Sequence, residues 1–163
     1  MSVALLADER TILLDEEVDF STFSTFTVSN IRITSDRPEL NVPIVSQSIA
    51  DAVRRALSNR GLKENAPQAD LVVEVQVTGV DFEVGPFGRP SVIESGRVGR
   101  GRREPQAVHF TEATMVVDAY RLRPRALIWR AVYRIAEDDA QKLVSSLPKN
   151  AFELLSQFPR RRR

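Results

Sequence analysis

Apolar and polar positions along this chain follow two periods, and the places where one gives way to the other outline its elements. Over residues 70–78, Leu71, Val73, Val75 and Val77 alternate with Glu74, Gln76 and Thr78. A period of two sends successive side chains to opposite faces of a strand. Residues 108–120 and 126–135 read as two further strands, and the short link between them predicts an antiparallel hairpin. In the second of these, Leu127, Trp129, Ala131, Tyr133 and Ile135 face inward and Arg130 and Arg134 outward. Residues 20–28 are rich in Phe and Thr, which suit a half-buried pleated surface, with Phe20, Thr22, Ser24, Phe26 and Val28 on one face. Residues 11–14 suit a short edge strand. Residues 29–42 carry Ser, Asn, Asp and Pro and read as a loop.

At Pro43 the period lengthens. Val45, Ile49, Val53, Ala56 and Leu57 recur at steps of three and four, the spacing of one helix face. Proline suits the first helical turn, where its missing N–H costs nothing. Gly61 is expected just past the end of this helix in the left-handed conformation, with Leu62 as its apolar partner. A second helix carries Leu147, Ala151, Leu154, Leu155 and Phe158 on one stripe, with Asp138 and Asp139 where N-caps stand. Pro148 either kinks this helix or marks its start, because an interior proline costs about 3 kcal/mol. After Gly79 the apolar set moves to Val80, Phe82 and Val84. A β-bulge at Gly79 would restore the phase; an end of the strand there is the competing reading.

The order strands, helix, three strands, helix predicts an α+β domain: an antiparallel sheet of four or five strands with two helices packed on one face. Its expected core is Val45, Ile49, Val53, Leu57, Leu71, Val73, Val75, Met115, Val117, Leu127, Trp129, Leu154 and Phe158. Residues 19–159 form this single domain. Residues 1–18 are read as an acidic extension, 85–106 as a flexible Gly/Arg loop open to trypsin, and 160–163 as a basic tail.

Composition refines this mainly by exclusion. The chain has 163 residues, a net charge of +1, no cysteine and a single histidine, His109. Without cysteine there is no disulfide, thiolate metal site or cysteine nucleophile, and one histidine leaves no His-rich metal site. No metal and no cofactor are expected. No apolar run approaches the roughly 18–20 residues of a membrane span. Residues 3–7 are apolar but lack the basic flank of a signal peptide, so the protein is expected to be cytosolic or to have lost a leader.

Charge is concentrated at two poles. Six acids stand against Arg10 in residues 1–20, while Arg97, Arg100, Arg102 and Arg103 form a candidate anion contact with no acid among them. The glycines at 96, 99 and 101 lack phosphate-loop spacing. A nucleic-acid adaptor using this segment is one functional alternative, although no aromatic is there to stack a base and no nucleic acid is expected. A small hydrolase or small-ligand enzyme using His109 and Asp118 is another. Strand alternation puts those two on opposite faces, which argues against it. Asp118 lies in an apolar run, where a lone carboxylate is costly, and is expected to pair with Arg130 or Arg134 across the hairpin. The outward residues Glu74, Gln76, Asp118, Arg130 and Arg134 form a candidate partner surface. Trp129 reads as a core anchor.

Several segments in order resemble one family. Asp19-Phe20-Ser21 followed by Thr25-Phe26, the helix ending Ala56-Leu57 with Gly61-Leu62, and Asp70-Leu-Val-Val-Glu-Val are three of them. Thr114-Met-Val-Val-Asp118, Leu127-Ile-Trp129-Arg130-Ala131 and the closing Phe158-Pro159 are the others. Together they resemble domain-of-unknown-function family 4136, found mainly in bacterial envelope lipoproteins, over residues 19–159. The resemblance implies an α+β domain, export to the periplasm or outer membrane, and a lipid-bearing cysteine just before the domain; this chain contains no cysteine. It implies no catalytic residue. The expected function is therefore a non-enzymatic, lipoprotein-like envelope domain that binds or scaffolds a protein partner.

Overall fold

Seven strands and two helices fold the described residues, 9–84, 90–92 and 108–160 of this computed structural model, into one mixed sheet backed by helices. The strands are β1 (Glu9–Leu14), β2 (Thr25–Ser35), β3 (Lys63–Glu64), β4 (Leu71–Val84), β5 (Pro90–Val92), β6 (Val108–Leu122) and β7 (Arg125–Glu137). They lie in the order β1-β7-β6-β4-β2-β3, with β5 pairing β4. The helices are α1 (Pro43–Asn59) and α2 (Ala140–Leu155). As expected they lie side by side on one face of the sheet.

The expected antiparallel sheet of four or five strands is corrected to a mixed one. β2 runs parallel to both β3 and β4, while the β4–β6, β6–β7 and β1–β7 pairs are antiparallel. The physical cause is α1. It carries the chain back across the sheet between β2 and β4, and a crossover of that kind returns the next strand in the same direction. Residues 9–14, part of the segment read as an acidic extension, form the sheet edge as β1.

Two bulges account for other differences. β2 continues to Ser35 through part of the stretch read as a loop, because its register shifts between Val28 and Ile31. Val28 pairs with Val73 and Ile31 with Val75, so apolar residues three apart share one face. In β7 the register shifts where Ala119 pairs with Trp129 and Tyr120 with Leu127, leaving Ile128 as the extra residue. Ile128 and Trp129 are both buried, and Leu127, expected in the core, is 39% exposed. The other twelve expected core residues are buried.

At Gly79 neither sequence reading holds. β4 runs on to Val84 with no shift against β6, and Val80 reaches the face turned away from α1 and α2. The glycine is required by close approach instead. A Cβ there would stand 2.8 Å from Ser35 Oγ and 3.1 Å from Leu40 Cδ1.

The helix ends follow local chemistry. Pro43 opens α1, and Gly61 at φ 91° closes it. Leu62 N–H donates to the Leu57 carbonyl and Gly61 N–H to that of Ser58, which satisfies two orphan acceptors. The Asp139 side chain accepts from Gln141 N–H at 2.8 Å and caps α2. Pro148 is not the start of α2; the helix runs through it, with Leu143, Leu147, Ala151 and Leu154 buried on either side. Trp129 packs edge-on against Phe158 at 5.4 Å, and Phe158 against Phe20 at 5.5 Å.

Candidate functional site

The sheet face turned away from α1 and α2 carries most of the outward residues singled out from sequence. Register places Leu13, Arg130, Asp118 and Glu74 in one row across β1, β7, β6 and β4. Arg130 donates from Nε to Asp118 Oδ1 at 2.7 Å and from Nη2 to Oδ2 at 2.8 Å. This two-pronged geometry is the strong form of a charge-assisted pair. It explains how a carboxylate only 5% exposed tolerates an apolar strand. The Arg130 guanidinium is held above its ordinary value, chiefly by this bond to Asp118.

Side-chain contacts extend the cluster to Tyr120 and Arg125, which belong to neighbouring rows. Arg125 Nη2 donates to Glu74 Oε1 at 2.9 Å and stacks over the Tyr120 ring at 4.5 Å. Tyr120 donates to Asp118 Oδ2 at 3.5 Å. Burial pushes the Tyr120 phenol up, with Asp118 and Glu74 adding to the effect. The next row is more apolar: Val132 and Val116 lie between Thr11 and Gln76. The row after it holds Arg134, 3.7 Å from Glu9 across the edge strand.

The structure thus brings Glu74, Asp118 and Arg130 together, with Gln76 one row away and Arg134 two. Of the two partners expected for Asp118, Arg130 is the one it pairs with, and Arg134 lies against Glu9 instead. Tyr120 and Arg125 were not singled out. Arg125 directly follows the β6–β7 turn, but nothing in the sequence places it beside residue 74. His109 belongs to β6 opposite Glu83, and β6 has no register shift before Ala119. Positions 109 and 118 therefore fall on opposite strand phases, roughly 30 Å apart at about 3.4 Å per residue. Arg97, Arg100, Arg102 and Arg103 lie outside the described residues, as does most of the Gly/Arg loop. Among the described residues, no group of three His, Cys, Asp or Glu is placed to hold a metal ion. No helix among them is long and apolar enough to cross a membrane.

A second polar cluster has a structural role. Asp70 Oδ2 accepts from the backbone N–H groups of Ser24 and Thr25 at 2.8 and 3.0 Å, and from both their hydroxyls at 3.1 Å. Its own N–H donates to Thr25 Oγ1 at 3.0 Å. These bonds, led by the Ser24 N–H, hold the Asp70 carboxyl below its usual range. They clamp the start of β2 to the start of its parallel neighbour β4.

One family model, described as Domain of unknown function (DUF4136), matches residues 13–160. No curated protein matches the chain. A solved DUF4136 family protein from Bacteroides thetaiotaomicron VPI-5482 is 15% identical at a TM-score of 0.56, covering 92% of each chain. A PDZ domain protein from Parabacteroides distasonis ATCC 8503 is 12% identical at 0.61, covering 93% of this chain and 36% of that one. The PelC dodecamer from Paraburkholderia phytofirmans is 12% identical at 0.50, covering 90% of this chain and 94% of that one. At these identities the likeness is one of fold.

Proposed function

Because the chain belongs to the DUF4136 family, whose description assigns no activity, we propose a role read from its surface: a non-enzymatic binding or scaffolding domain of the bacterial cell envelope. The observation that carries this reading is the sheet face that no described helix covers. Two ion pairs are already formed on it, Arg130 with Asp118 and Arg125 with Glu74. Side chains held in place before contact lose less freedom when a partner docks. Val116 and Val132 lie one row away and the exposed Leu13 on the edge strand, so the face offers a protein both apolar contact and fixed polar groups. Envelope location rests on the family resemblance. A scaffolding role gains support from the dodecamer that PelC of P. phytofirmans builds on this fold.

The test is a photo-crosslinking residue at Gln76, on the face turned away from the helices, compared with one at Lys149 on α2, in living cells followed by fractionation. The expected result is one discrete protein adduct from position 76, in the envelope fraction, weakened by Arg134→Glu and absent from position 149. Recovery of the protein in the cytosolic fraction, no adduct, or identical adducts from both positions would overturn the reading.

A further inference from the structure

We infer that copies of this chain join head to tail, the outer edge of β1 in one copy pairing antiparallel with the outer edge of β2 in the next. Among the described residues both ends of the sheet are open. β1 pairs only with β7, and β2 meets β3 only at Thr25 and Phe26, so residues 27–35 have a strand on one side alone. Open edges are usually blunted by charged side chains, proline or a bulge. β1 carries charge at Glu9 and Arg10, but from Thr11 to Leu14 it has none of these, and it exposes Leu13 at 59% and Leu14 at 48%. β2 has its bulge before Ile31, and its pairing from Ile31 to Ser35 is regular.

The two edges differ in shape, and the difference is complementary. Beside the outer part of β2 runs a groove of about 470 Å³ lined by the apolar Ile31, Ile33, Leu40 and Pro43 and by three polar residues of the same segments. Val42 and Ile44, which flank that proline, are exposed. Three antiparallel steps and one parallel step separate β1 from β2, so the two run in opposite directions. A copy moved sideways along the sheet, helices on the same side, therefore brings its β1 antiparallel to β2.

Register follows from the faces. The helix-side residues are Arg10, Ile12 and Leu14 in β1 and Ile31, Ile33 and Ser35 in β2. Setting Leu14 opposite Ile31 and Ile12 opposite Ile33 puts both leucine and isoleucine against apolar partners, with Leu14 entering the groove. A slip of two residues either way loses one of these pairs, because alternation forbids a slip of one. On the other face Leu13 then lies opposite Arg32 and Thr11 opposite Thr34. A two-fold pairing of β1 with β1 would leave the groove empty. Head-to-tail contacts between unlike edges close into rings or extend as filaments.

Cysteine pairing tests the register directly, since the chain has no cysteine of its own. Leu13→Cys and Arg32→Cys, both at exposed positions, are each purified and oxidised alone, mixed, and as a double variant. The expected result is no disulfide from either variant alone, a two-chain product from the mixture and a ladder from the double variant. A Leu13→Cys homodimer would replace the arrangement with the two-fold one, and no crosslinking in any sample would reject both. In light scattering, wild-type protein should rise with concentration above the 18.3 kDa of one chain, while Leu14→Lys, with an unchanged circular dichroism spectrum, stays at that mass. A wild-type mass fixed at one chain at every concentration would also overturn the inference.

Discussion

Removing the Asp70 carboxylate should unfasten β2 from β4 and cost about 2–4 kcal/mol. Four donors converge on one oxygen of Asp70, so their contributions do not add. The hydroxyls of Ser24 and Thr25 can turn to water. Their backbone N–H groups are fixed by the chain and have no other described acceptor. A hydrogen bond to a charged group contributes about 1.5–3 kcal/mol net, and the two N–H bonds sharing one oxygen contribute more than one such bond but less than twice it, which gives the range above. Asp70→Ala is expected to lose this in urea denaturation at pH 7, with an unchanged slope. Asp70→Asn keeps the shape and a neutral acceptor, and should lose about 1 kcal/mol. The carboxyl is held below its usual range, chiefly by the Ser24 N–H. A depressed folded-state pKa gives stability that is complete above the unfolded value and lost as pH falls through the folded one. The wild-type advantage over Asp70→Asn should therefore be constant from neutral pH down to about 4 and shrink below it. A loss under about 0.5 kcal/mol for Asp70→Ala, or an advantage over Asp70→Asn unchanged at pH 2, would refute this account.

Trp129→Ala should cost about 3–5 kcal/mol in chemical denaturation, since the ring is fully buried against Phe158; a loss below about 1 kcal/mol would place the ring outside the core. Gly79→Ala should destabilise by about 1–3 kcal/mol because its Cβ would press on Ser35 Oγ, and part of that loss should return in a Ser35→Ala background. A double-mutant cycle on Asp118→Ala and Arg130→Ala should show coupling of about 1–2 kcal/mol, limited by the 40% exposure of Arg130 and falling as salt rises. Coupling that is absent at low salt would mean the pair contributes shape alone. Leu127→Thr should change stability by less than about 0.5 kcal/mol, and a larger loss would return that residue to the core.

What the sequence determined by itself was everything decided by neighbours a few residues apart. The α1 stripe of Val45, Ile49, Val53 and Leu57, the Gly61 stop, the Asp139 cap and the alternation of Leu71 to Val77 all stand where their spacing put them. So does the partnership of Asp118 with Arg130, which a hairpin brings into register. Tertiary structure decided the rest. That β2 neighbours β4 and runs parallel to it depends on where α1 crosses, and no local period records a crossover. The bulges after Val28 and at Ile128 break the alternation that reveals a strand, which hid the outer half of β2 and put Leu127 on the wrong side. The link from Arg125 to Glu74 spans distant parts of the chain, so the extent of the charged cluster was not legible. Neither was the reason for Gly79: its missing side chain makes room for Ser35 and Leu40, and that requirement exists only once β2 lies beside β4.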